Sequence, residues 1–268
     1  MKRFIISITI SLILLTSCNL PFAKNADSKD ANLPLSAATV SIPTPTVTPT
    51  PLPKARIKLG EADMLNGDYE SALAEFWAAR EQSSDPEVIA AAQLGVGKVL
   101  LLQGDNAGAI DQLNWLQANF SEGESRTLAY FFLAQAYENL EQFVLAAEAY
   151  QQYIDSSNTP LRSEILEMKA DALVSAGEPG SAKTVYLEAF ESADSNAADL
   201  LQIKIARAAS AIGDNNDAID RYWSLLENSS SDYIKAQSNL LLGQVYLNLG
   251  LPEQAYARFQ DSVTRFPS

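Results

Sequence analysis

Four carboxylates carry the most obvious chemistry in the chain. Glu164, Glu167 and Asp171 stand three and four residues apart, so a helix through them presents all three on one face, with Glu138 available from the preceding stretch. Such a group can move protons if an enclosed pocket keeps one member protonated, can attract a cationic partner, or can be a solvated face. Other chemistry is thin. The chain contains no His, which excludes His-based zinc sites and His-dependent nucleophiles. Gly95 and Gly97 sit inside a helical pattern and not in a phosphate loop, and the stretch "GDNNDAID" from Gly213 to Asp220 lacks the alternation and closing Glu of a calcium loop. No enzyme, metal or cofactor is therefore expected.

Charge narrows the partners. There are 33 Asp and Glu against 19 Lys and Arg, a net charge of −14; removal of a leader containing Lys2 and Arg3 makes it 17 − 33 = −16. A surface that acidic repels nucleic acid and draws cationic partners.

The elements that must position these residues begin with a leader. Lys2 and Arg3 precede the apolar run Phe4 to Leu15, then the small residues Thr16 and Ser17, then Cys18, the only cysteine. That order reads as a secretory signal over 1–17, too short to span a bilayer that takes roughly 20 helical residues. Residues 18–53 form a Ser/Thr/Pro-rich disordered tether ending in "IPTPTVTPTPLP", whose alternating Pro favours extended polyproline II. At about 3.1 Å per residue it holds the folded part up to roughly 100 Å from its anchor.

The stretch Leu15-Thr16-Ser17-Cys18 resembles the lipobox of bacterial lipoproteins. The resemblance implies cleavage before Cys18, lipidation of its thiol, and a palmitate-bearing protein outside the cytoplasm, anchored to the bacterial cell membrane or the outer membrane. One acyl chain binds a membrane only marginally, so the two or three chains implied here are what make attachment lasting.

Residues 54–268 repeat themselves. A turn residue recurs as Gly67, Gly104, Glu141, Gly177, Gly213 and Gly250, at spacings of 37, 37, 36, 36 and 37. Seven residues before each is Gly or Ala (Gly60, Gly97, Ala134, Ala170, Ala206, Gly243), and five after each is an Ala (Ala72, Ala109, Ala146, Ala182, Ala218, Ala255). Four residues further comes a large apolar or aromatic one: Phe76, Leu113, Tyr150, Tyr186, Tyr222 and Phe259. Each unit reads as two amphipathic helices that approach at small residues.

The pattern resembles the tetratricopeptide repeat, most clearly in Leu242-Gly243-Gln244-Val245-Tyr246 with Ala255, Phe259 and Pro267. It implies an all-α solenoid of about six helix hairpins in a right-handed superhelix. The spacing exceeds the usual 34 residues, which points to longer loops such as "SEGES" and "NSSSD", and Glu141 departs from Gly at the third turn.

In that family the first helix of each pair lines a concave groove, and the register then nominates Met64, Leu94, Lys98, Leu101, Phe131, Gln135, Glu138, Glu167, Asp171, Arg207 and Gln244, with Ile57, Glu61 and Ile203 beside them. The stripe Met64, Leu94, Leu101 and Phe131 is either a docking surface or core. Trp77, Trp115 and Trp223 read as structural. The expectation is a non-catalytic, membrane-anchored envelope scaffold binding a protein or peptide with a basic or apolar segment. Phe259 and Val263 near an unsealed end allow self-association through the C-terminal repeat, docking of a partner, or a longer natural chain. The repeats are also similar to the helical superhelix of soluble-type lytic transglycosylases, which makes the alternative the non-catalytic region of such an enzyme; Glu124-Ser125 is the nearest match to its catalytic motif and lacks its context.

Overall fold

The six turns are closed in the same way, and this fixes every hairpin. In the computed structural model, which describes residues 51–193 and 195–265, the turn residue has positive φ in all six units, from 58° at Glu141 to 82° at Gly213. The backbone N–H after it then reaches back to the last helical turn: Asp68 to the Asp63 carbonyl, Asp105 to Leu100, Gln142 to Tyr137, Glu178 to Leu173, Asp214 to Ala209 and Leu251 to Tyr246, all within 2.8–2.9 Å. These bonds satisfy carbonyls that a helix end leaves orphaned. Asp68, Asp105 and Asp214 then cap the second helix through the backbone N–H groups of Ser71, Gly108 and Asp217.

Twelve helices and no strand make up the described residues. The first helices of the pairs are α1 (Pro53–Leu65), α3 (Pro86–Leu102), α5 (Glu124–Asn139), α7 (Arg162–Ser175), α9 (Ser195–Ala211) and α11 (Asp232–Asn248). Their partners are α2 (Tyr69–Gln82), α4 (Asn106–Asn119), α6 (Phe143–Ser156), α8 (Pro179–Ser192), α10 (Asn215–Asn228) and α12 (Pro252–Arg265). Each helix packs on the one before and the one after it in sequence, the arrangement of a solenoid. Pro opens α1, α3, α8 and α12, where its missing N–H costs nothing. The leader and nearly all of the tether, with Cys18, lie outside the described residues; Pro53, its last residue, opens α1.

One expectation is corrected. In most units the additional residues lengthen the first helix: α3, α9 and α11 have 17 residues and α5 has 16, while the connections 83–85, 120–123 and 229–231 stay short; in the fourth unit α7 has 14 and the connection 157–161 before it takes the length instead. Two residues of "SEGES" and two of "NSSSD" belong to the adjoining helix ends. A helical residue satisfies its own backbone and a loop residue does not, so in most units the helix takes the extra length.

The core is an interlock of small and large side chains. A Cβ on Gly60 of α1 would stand 2.9 Å from the Phe76 ring, and one on Gly95 of α3 would stand 2.5 Å from it, so Phe76 is held between two first helices. Gly97 faces Leu113 and Gly243 faces Phe259 in the same way. Phe76, Leu113, Tyr150 and Tyr222 are all essentially fully buried.

Gly95→Val is expected to cost about 2 kcal/mol by overpacking, a fall in Tm of roughly 4–8 °C in a thermal melt. Glu141→Gly is expected to raise the urea midpoint by about 0.5–1 kcal/mol equivalent without changing the slope, since a left-handed non-Gly residue is strained by about 1–2 kcal/mol and part of that gain is lost to unfolded-state entropy.

Candidate interaction groove

The first helices do not line an even groove. α3 approaches both α1 and α5 directly, and α9 approaches α11, whereas α7 stands further from α5 and α9. Where first helices close up, register positions expected on the surface are covered. Leu94 is the clear case: it is 7% exposed and lies in the main core cluster with Leu113, Leu116 and Ala129, so it is core and not a groove contact. Ile203 is buried for the same reason on the α9–α11 side. Phe131 is half-buried, packed at 6.1 Å against the Tyr150 ring and 5.9 Å against Tyr153, while Met64 leans on the cluster around Phe76. Lys98 lies 5.4 Å from the Phe132 ring. Leu101 and Gln135 are half-buried; Arg207 and Gln244 are exposed.

Where the first helices stand apart, polar side chains bridge them. Lys204 of α9 reaches back to α7, its Nζ donating to Glu167 Oε1 at 2.6 Å and to Asp171 Oδ1 and Oδ2 at 2.8 and 2.6 Å. The Tyr186 hydroxyl donates to Asp171, and the Tyr150 hydroxyl donates to Glu138 Oε2 at 3.0 Å. Burial and the adjoining carboxylates push both phenols well above their ordinary range, so they stay protonated donors. Burial pulls Lys204 down, but its bonds to Asp171 and Glu167 outweigh this and raise it overall. The acidic stretch is therefore not an open cation site: Lys204 already engages two of its carboxylates. Glu164 points elsewhere and is exposed.

Glu138 differs. Burial raises its carboxyl above the ordinary 4.5, the Tyr150 hydrogen bond offsets part of this, and Asp171 adds to it. A carboxyl raised in the folded state costs stability as pH climbs from 4.5 through its folded value, whereas the Lys204 contribution is complete below 10.5 and is lost as pH rises through its own raised value.

A wide concavity lies at the first three units. A cavity of about 1240 Å³ is bounded by the starts of α1, α3 and α5, the end of α4 and the connection 120–123. Ile57, Val88, Ile89, Trp115 and Phe120 supply an apolar lining, with Trp115 and Phe120 edge to face at 6.2 Å and the Arg80 guanidinium 4.1 Å from the Trp115 ring centre. Around them stand Lys54, Lys58, Arg126, Glu61, Asp85, Glu87, Glu122 and Glu124, and no ion pair among the described residues uses any of these. Of the nominated groove, only Ile57 and Glu61 reach this cavity. Trp115, Phe120, Ile89 and Lys204 were missed. Lys204 left a signal, a cation two residues before Ala206 where units two, three, four and six carry Gly95, Phe132, Met168 and Leu241. Phe120 left another, a lone aromatic residue in a polar connection. No group of three or more His, Cys, Asp or Glu among the described residues has metal-binding geometry.

Residues 89–210 match the family model described as a tetratricopeptide repeat-like domain. The chain is similar in structure to the C-terminal part of a TPR repeat-containing protein from Cytophaga hutchinsonii, at 16% identity and a TM-score of 0.64, over 81% of this chain and 84% of that one. A tetratricopeptide repeat protein from Parabacteroides merdae gives 15% and 0.58, over 81% and 80%. YrrB, described as a TPR protein with an unusual peptide-binding site, gives 14% and 0.55, over 72% and 93%. No curated protein matches the sequence. The fold is thus a tetratricopeptide-like solenoid, a class that presents extended concave binding surfaces.

Lys204→Gln is expected to lower stability at pH 7 by about 1 kcal/mol after solvent screening, with the difference from the unsubstituted protein shrinking as pH rises from 10.5 through the raised Lys204 value. Glu138→Gln should raise Tm slightly at pH 7.5 and lose that gain below pH 4.5. Melts of Glu138→Gln at pH 4 and 7.5, and of Lys204→Gln at pH 7 and at alkaline pH, check the two signs.

Proposed function

We propose that this protein is a lipid-anchored, extracytoplasmic interaction scaffold whose first three units hold a protein or peptide segment. One observation carries the reading: the cavity between α1, α3 and α5 combines an apolar floor with charged side chains that take part in no ion pair among the described residues. Monomeric proteins seldom leave both in one concavity without a use for it. The floor suits one or two apolar side chains of an extended or helical segment. The rim carries five carboxylates against three cations, so a segment with basic residues beside the apolar ones fits best. The peptide site named for YrrB supports a peptide as the ligand class.

Anchoring rests on the sequence alone. The leader and the lone Cys18 support cleavage and lipidation, and the Thr-Pro tether supports a module held clear of the membrane. The partner then belongs to the envelope or its surface, in assembly or cell-wall work.

Two variants test these parts separately. Cys18→Ser is expected to move the protein from the membrane fraction to the soluble one and to abolish labelling by radioactive palmitate; continued labelling would remove the anchor. Ile89→Asp with Glu87→Lys is expected to weaken crosslinking of the native envelope partner at least tenfold while leaving the helical circular dichroism unchanged. Unaltered crosslinks from a folded variant would exclude this cavity.

A further inference from the structure

The repeat makes each unit a control for the others, and the two ends of the stack differ from the interior in a consistent way. At four of the five internal junctions the residue before the small residue of a first helix is a buried apolar one, Val96, Leu133, Ile205 or Leu242; on α7 it is Lys169, half-buried and donating to Gln151 of the preceding second helix. Three residues further on, Val99, Ala136, Ala172, Ala208 and Val245 are buried as well. On α1 the same two positions are Leu59, 43% exposed, and Ala62, exposed, with exposed Ala55 four residues before Leu59 on the same face.

The opposite half of the junction is open on α12. The interior partners of those buried residues stand one and eight positions after the second-helix Ala. Leu73 clusters with Val96, Ile110 with Leu133, and Ile219 and Leu226 with Leu242. On α12 these positions are Tyr256, 68% exposed, and Val263, 71% exposed. The chain makes the junction five times internally, and α12 and α1 present its two unused halves.

We propose that the α12 face of one molecule packs on the α1 face of a second copy, continuing the solenoid from chain to chain. The occupant is specified by continuity with an interface the protein already contains: a first helix with an apolar face at i, i+4 and i+7 covers a second helix at three of the five internal junctions, and at the other two only one of the three positions is polar, Lys169 on α7 and Ser238 on α11. Part of the polar pattern carries over. Lys204 reaches back across an internal junction to Glu167 and Asp171; the corresponding positions across the intermolecular junction are Lys58, exposed and in no ion pair among the described residues, facing Gln244 in place of Asp171 and Leu240 in place of Glu167, both exposed. At another internal junction Lys183 reaches Asp214 and Asp217; here the corresponding groups are the Tyr256 hydroxyl and Asp68. The contact is heterologous, so it leaves a free end at each addition and grows linearly.

Thiol crosslinking on the full chain tests this directly, with Cys18→Ser removing the native thiol. Chains carrying Leu59→Cys alone or Tyr256→Cys alone should give no dimer with a short bifunctional thiol reagent, their mixture should give dimer, and the doubly substituted chain should give a ladder of dimer, trimer and higher species. Adding Ala62→Asp to the double variant should reduce the ladder at least tenfold while the helical signal stays constant. Dimer from either single variant would show like-to-like pairing and overturn the proposal. So would an absence of crosslinks in helical protein, as when another segment or partner covers these faces, or a ladder that survives Ala62→Asp.

Discussion

Every unit of this protein depends on a difference in side-chain volume across a helix contact. Phe76 can lie between α1 and α3 only because Gly60 and Gly95 offer no Cβ, and the contact closes to distances that a methyl group would violate. The next junction distributes volume differently: Leu113 replaces the ring, Gly97 still yields to it, and the bulk moves to Phe132, in contact with the same core. Close packing tolerates either distribution but not the loss of both partners, because voids and overlaps are each penalised. With a single cysteine in the chain, no internal disulfide supplements this packing.

Stacking of this kind is one-dimensional. Each helix contacts its neighbours in sequence, so stability is close to a sum of units and junctions, and local variation is absorbed locally. The third turn illustrates it: Glu141 adopts a backbone suited to Gly, Gln142 replaces the Asp that caps other units, and the hairpin forms all the same because α5 and α6 are buried against their neighbours. The spacing between first helices varies too. Where they meet, the surface is apolar and mostly consumed by the core; where α7 stands apart, the Lys204 and tyrosine bridges fill the gap. The wide concavity at the first three units lies away from these bridges.

The repeat register, the turns, the helix pairs and the sites of close approach were legible in the sequence because all are short-range. A Gly at a left-handed turn, an Asp beginning a helix and a small residue facing a large one are each decided within a few positions or one hairpin. The readings of a lipobox-like leader and a Thr-Pro tether are of another kind: they rest on composition and order and not on packing, and nearly all of both stretches lies outside the described residues.

The tertiary structure alone decided which register positions are available. Leu94 and Lys98 stand four residues apart on the same nominal face, yet Leu94 is enclosed by the neighbouring units while Lys98 remains partly open. The apparent acidic patch became a bridged network because Lys204, more than thirty residues away, falls opposite Glu167 and Asp171. The cavity also draws its walls from α1, α3, α4 and α5, and no local pattern encodes their separation. Sequence periodicity states which side of a helix faces inward; how far two helices then stand apart depends on the summed volumes of side chains contributed by several units, and that sum settles exposure, charge pairing and the shape of the groove.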